Sequence, residues 1–180
     1  MVCTFFLLLT ACSPLDQAVV ESPDGRYHFE LKIEDGNPYY TVSFENQMII
    51  GRSELGFLLK DASFAFKDLA IRSVEITDIN TSWQPVYGEK SEYPEHYQEA
   101  LVHLISAGIK QGELRLRIRA YNEGLAFRYE SDQVMHIEKE LTEFALPEEV
   151  KLWASERAQS AIYETDLAAL QDTVDRPLLA

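Results

Sequence analysis

Residues 114–129 read LRLRIRAYNEGLAFRY. Leu114, Leu116, Ile118 and Ala120 alternate with Arg115, Arg117, Arg119 and Tyr121, the period of two that sends successive side chains to opposite faces of a strand. Asn122-Glu123-Gly124 then signals a turn, since Asn and Gly both tolerate positive φ. Leu125, Phe127 and Tyr129 form the inner face of the next strand. The basic stripe suits an anionic ligand, but such a stripe is more often the solvent face of an antiparallel strand, paired with carboxylates on its neighbours. With 30 acidic residues in the chain, partners are plentiful.

The same period extends outward. Tyr27, Phe29, Leu31 and Ile33 alternate with His28, Glu30 and Lys32. Asp35-Gly36-Asn37-Pro38 punctuates that strand, and residues 39–44 run back as a second. A turn at residues 45–47 leads to a strand at residues 48–50, which Gly51 is expected to break. Further strands are predicted at residues 55–59, 74–79 and 100–105, with residues 63–68 ambiguous and a turn at residues 108–112. Residues 155–170 have helix-compatible composition, but their apolar residues form no stripe. Short strands at regular spacing, separated by turn signals, indicate an all-β sandwich.

A chain of 180 residues suits one domain of ordinary size. Its net charge of −14 argues against nucleic acid and against electrostatic docking on anionic lipid. Neutral sugars remain compatible. Both cysteines, Cys3 and Cys12, fall in the first dozen residues, so the body carries no disulfide and no thiolate metal site. The apolar run at residues 5–9 is followed by Thr10-Ala11-Cys12, and Leu9-Thr10-Ala11-Cys12 resembles the lipobox of bacterial lipoproteins. Residues 1–12 are therefore expected to be a lipoprotein-type signal segment acylated at Cys12, with residues 13–20 as a tether and residues 21–180 as the domain. The first basic residue is Arg26, so the cationic start of such a leader is missing. The expectation is a truncated leader or a start further upstream. Contact with a membrane is expected only through the lipid anchor, in the bacterial periplasm or on the outer membrane.

Residues 82–99, SWQPVYGEKSEYPEHYQE, are too aromatic for a solvated loop and too interrupted for a strand. An aromatic loop among carboxylates suits a sugar, whose C–H groups pack on ring faces while carboxylates hold its hydroxyls. The alternative is a buried Trp corner closing the sandwich. Trp83 is expected to be buried and structural. Tyr93, His96, Tyr97 and Glu99 are the candidates for a carbohydrate pocket rim. No metal site is predicted: His28, His96, His103 and His136 lack zinc spacing, and Glu89, Glu92, Glu95 and Glu99 lack that of a calcium loop.

The order of these blocks carries a resemblance. Trp83, Pro85 to Glu89 fit W-x-P-V-[WY]-G-E; His96 to Glu99 fit H-Y-x-E; Asn122 to Glu130 fit N-[DE]-G-[VL]-[AG]-F-R-Y-E; Glu140 to Phe144 fit E-x-T-E-F. Together with Ser22-Pro23-Asp24-Gly25 and the segment from Asp35 to Tyr40, they resemble the amino-terminal domain of glycoside hydrolase family 97, over roughly residues 21–179. The resemblance implies a β-super-sandwich, similar to the galactose mutarotase superfold, followed by a catalytic (β/α)8 barrel and a small β domain. It implies cleavage of α-linked glucosides or galactosides, with calcium at the active site of the complete enzyme and no cofactor in this chain.

The family's catalytic carboxylates belong to the barrel, which needs about 250 residues of its own. With two carboxyl groups required for glycoside cleavage, this polypeptide holds no catalytic residue and is expected to be inactive alone. It would be a non-catalytic sandwich domain, incomplete at its carboxy terminus, whose partner is the barrel. Residues 165–180 are expected to form a poorly ordered edge. The alternatives are a stand-alone carbohydrate-binding or scaffold lipoprotein, and a mutarotase-like epimerase, for which no His/Glu pair singles itself out.

Overall fold

In the computed structural model, residues 15–60, 68–106, 114–157, 159–170 and 174 are described. The leader with Cys12, the predicted turn at residues 108–112, most of the ambiguous stretch at 63–68 and most of the carboxy-terminal tail lie outside them.

Two four-stranded antiparallel sheets make up most of the chain. The first has the order β1 (Gln17–Glu21), β2 (Tyr27–Glu34), β3 (Asn37–Phe44), β4 (Gln47–Glu54). The second has the order β6 (Leu69–Trp83), β7 (Tyr93–Ser106), β8 (Leu114–Tyr121), β9 (Gly124–Ser131). Two pairs flank them: β5 (Phe57–Leu59) with β10 (Ile137–Glu140), and β11 (Lys151–Ala154) with β12 (Tyr163–Asp166). Period-two patterning makes this a sandwich. Val20, Phe29, Leu31, Tyr40 and Val42 of the first sheet meet Ile71, Val102, Leu104, Leu116 and Ile118 of the second in one buried cluster.

The turns are built for twist. Asp35 and Gly36, joining β2 to β3, have φ of 50° and 77°; Glu45 and Asn46, joining β3 to β4, have φ of 49° and 66°. Positive φ at both central residues matches the right-handed twist of the flanking strands. The turn at Asn122-Glu123 uses no positive φ. Instead the Asn122 side chain accepts a 3.0 Å hydrogen bond from the Asp24 backbone N–H, tying together the turns of two sheets.

Several expectations are corrected. Residues 17–20, read as tether, belong to β1, whose Ala18 and Val20 are buried against the core. Gly51 does not end β4; register irregularities absorb it, and its N–H donates to Ala145 O at 2.7 Å. Residues 155–170 contain β12 and a 3-10 turn at Leu167–Ala169 rather than a helix. Half of residues 82–99 is strand, leaving residues 84–92 as the connection.

The segment carrying Glu140 to Phe144 straps the open edge of β4. Glu143 N–H donates to Glu54 O, Ala145 N–H donates to Ser53 Oγ, and the buried Tyr40 hydroxyl donates to Glu143 O at 2.7 Å. Burial pushes the Tyr40 hydroxyl pKa up to about 12.

Candidate functional site

β6 and β7 form a hairpin longer than the sandwich needs. β8 pairs with β7 only as far as Tyr97↔Tyr121, so residues 93–96 pair with β6 alone. Pro94 lies in this stretch, where a strand with a single neighbour tolerates proline. At the tip, Val86 and Tyr87 are 100% and 90% exposed.

Strand parity sorts the sequence candidates. Val102 and Leu104 face the core, so Tyr93, Glu95, Tyr97 and Glu99 share the outer face of β7. His96 points to the opposite face, where its Nε2 lies 3.0 Å from Asp78 Oδ1. Three of the four proposed rim residues therefore stand together and the fourth does not. Trp83 is not the buried corner expected of it. It is 50% exposed at the end of β6 and stacks on Tyr93, with centroids 5.0 Å apart and planes at 17°. Sequence reasoning also missed Tyr121, which packs on Tyr97 at 4.8 Å and donates its hydroxyl to Glu95 Oε1 at 3.3 Å. The signal for it was the same alternation that placed the arginines.

Beside these aromatics runs an ion-paired ladder. Arg119 Nε donates to Glu99 Oε2 at 2.8 Å, and its guanidinium lies over the Tyr97 ring, 4.7 Å from the centroid. Arg117 donates to Glu99 and, through Nε, to Glu130 Oε1 at 2.6 Å. Arg128 Nε reaches the same Glu130 oxygen at 2.8 Å, and Arg115 pairs with Asp132. The structural reading of the basic stripe holds. Hydrogen bonding from Arg117, with help from Arg128, holds the Glu130 carboxyl at about 2, well below the usual range. Tyr97 is only 6% exposed, and burial raises its pKa.

The ladder is not flat. Ala126 stands opposite Arg119, and Gly124 opposite Tyr121. Small residues facing long ones leave a hollow of about 190 Å³ lined by Arg117, Arg119, Tyr121, Ala126 and Arg128. Among the described residues, no three His, Cys, Asp or Glu side chains converge as metal ligands. Three of the four carboxylates of residues 89–99 have partners within the chain: Glu92 takes the Ser82 hydroxyl, Glu95 takes Tyr121, and Glu99 takes two arginines.

The fold is an all-β antiparallel sandwich, and relatives of known structure share it. A glycoside hydrolase family 97 enzyme from Pseudoalteromonas sp. strain K8, in complex with panose, matches with a TM-score of 0.75 and 29% identity. That match covers 84% of this chain and 25% of the other. The enzyme in complex with acarbose matches with a TM-score of 0.74 and 30% identity, over 83% and 24% of the two chains. A beta-arabinopyranosidase crystal structure shares the fold at 22% identity, with a TM-score of 0.67 over 77% and 23%. The chain thus spans about a quarter of the length of these proteins. The family profile described as glycosyl-hydrolase 97 N-terminal matches residues 20–180. The chain belongs to that family.

Proposed function

We propose that this chain is the non-catalytic amino-terminal domain of an exported α-glycosidase. In this reading it packs on a (β/α)8 barrel and contributes the outer face of the β6–β7 hairpin to the rim of the carbohydrate pocket. The observation that carries it is the family match over residues 20–180. Panose and acarbose in the related enzymes' complexes support α-linked glucosides as substrates, and Tyr93 with the half-exposed Trp83 stacked on it offers an aromatic surface of the kind a sugar packs on, whereas Tyr97 lies buried beneath Arg119. Calcium would bind in the complete enzyme, with ligands from outside the described residues. Acylation at Cys12 would tether the protein to a bacterial membrane facing the periplasm, on the strength of Leu9-Thr10-Ala11-Cys12.

The test compares the purified 180-residue chain with the same chain joined to a family 97 barrel, using aryl α-glucosides and α-galactosides. The chain alone gives no turnover and the joined protein does. Turnover by the chain alone, abolished by a substitution within residues 21–180, overturns the reading. Fatty-acid labelling in a bacterial host, with the leader restored, tests the anchor: equal labelling of Cys12→Ser rules it out.

A further inference from the structure

We propose that residues 84–92, the tip of the β6–β7 hairpin, are a docking knob whose Val86 and Tyr87 seat in an apolar pocket with a basic rim on the catalytic barrel. The partner's identity rests on the α-glycosidase reading above; the knob itself rests on the tip. Val86 and Tyr87 are neighbours in the chain, 100% and 90% exposed. They stand beyond the sandwich, because β8 stops pairing with β7 at Tyr97↔Tyr121.

The backbone that presents them is fixed from below. Trp83 stacks on Tyr93 at the base, Ser82 donates its hydroxyl to Glu92, and Lys90 Nζ lies 5.7 Å from the Tyr93 ring centroid. Gly88 takes a φ of 155°, a conformation that favours glycine. A Cβ on it would lie 3.7 Å from Pro85 Cγ and 3.8 Å from the Tyr93 hydroxyl. The connection thus folds back on its own side chains as a compact loop. A tyrosine presented on such a loop has little freedom left to lose, which is how an interface anchor gains affinity.

Shape and charge decide the partner. A convex tip needs a concave site, and the loop-lined mouth of a (β/α)8 barrel is concave. This chain covers 25% and 24% of the two related enzymes, so in such a protein the barrel would be tethered to the knob rather than met by diffusion. The knob carries Glu89, Lys90 and Glu92 in a chain of net charge −14. Glu92 takes the Ser82 hydroxyl, whereas Glu89 has no partner among the described residues and calls for a cation on the pocket rim. A second copy or an anionic bilayer would meet the same sign of charge and be repelled.

The test compares the 180-residue chain with the same chain joined to a family 97 barrel, both carrying Cys3→Ser and Cys12→Ser. Val86→Cys reports on the knob. Val134→Cys, at a position 89% exposed and beyond the opposite end of the sheet, is the control. Maleimide labelling, read at each site by peptide mass spectrometry, should slow at least tenfold at residue 86 on joining and stay unchanged at residue 134. Val86→Ser/Tyr87→Ser should leave the melting temperature of the chain alone unchanged. In the joined protein the same double variant should speed hydrogen exchange at the Gly88 amide at least tenfold. Equal labelling at residue 86 in both proteins overturns the proposal, as does equal slowing at residue 134 or a lower melting temperature for the serine variant of the chain alone. Dimerisation of the chain alone that the serine variant abolishes assigns the tip to a second copy, and flotation with phosphatidylcholine vesicles that it abolishes assigns it to a bilayer; either overturns the proposal. Failure of the α-glycosidase reading looks different: the barrel protects residue 86, but the joined protein hydrolyses no α-glycoside.

Discussion

Trp83 lies face to face with Tyr93 across the open end of the β6–β7 hairpin, centroids 5.0 Å apart, with half its surface in solvent. A residue so placed contributes little to the core. Trp83→Ala should cost about 0.5–1.5 kcal/mol, the worth of an aromatic pair. Leu116→Ala, within the buried cluster, should cost about 2–5 kcal/mol. Urea titrations of the two variants should separate them clearly. A Trp83→Ala loss as large as that of Leu116→Ala would mean that Trp83 is a core residue after all.

Glu130 links stability to pH. Its folded pKa, about 2, is below the ordinary value of 4.5 because Arg117 and Arg128 hydrogen-bond its carboxylate. A depressed folded pKa means that the contribution is complete above pH 4.5 and is lost as pH falls towards 2. Its size is on the order of 1 kcal/mol or less, since solvent screens the pair. Glu130→Gln should therefore be less stable than the unmodified chain at pH 7, with the gap closing by pH 2.5. Unfolding free energies at both pH values check the sign. Asp24, also lowered to about 2 by hydrogen bonds from Ser22 and Arg26, acts in the same direction.

Gly36 couples the two sheets. Its φ is 77°, a Cβ there would lie 2.6 Å from Asp68 Cα, and its carbonyl accepts the Leu69 N–H that begins β6. Gly36→Ala should lose more than about 2 kcal/mol, combining left-handed strain with a backbone clash. Gly25→Ala, at φ 71° but in open space, should lose about 1 kcal/mol. Equal melting temperatures for the two variants would remove the clash from the account.

Tyr40→Phe tests the strap along β4. The hydroxyl it removes donates to Glu143 O at 2.7 Å. The expected loss is about 1 kcal/mol, with faster hydrogen exchange at the Glu143 and Ala145 amides. Unchanged exchange would show that the backbone bonds to β4 hold the strap alone.

The sandwich was legible wherever one strand face is buried and the other wet. β2, β3, β8 and β9 alternate because the core demands it, and the arginines of β8 found carboxylates because the solvent face of a sheet pairs charges across strands. β1 escaped notice because only Ala18 and Val20 mark its inner face. The end of β6 beyond Ile79 escaped for a different reason. Asn80 and Thr81 are exposed on both faces, so no burial pattern is imposed on them, and β7 alone supplies their strand geometry.

The side-chain chemistry of residues 93–99 was on view in the sequence: rings, carboxylates and a histidine among prolines. Read as a loop, those residues could all have converged on one rim. Pairing with β6 imposed a period of two, which turned Tyr93, Tyr97 and Glu99 outward and His96 away, and which seated Trp83 on Tyr93 rather than in the core. Alternation is local and shows in composition. Which strand extends past the sandwich, and so which face of it meets solvent, depends on where β8 stops pairing with β7, a long-range contact that no local pattern encodes.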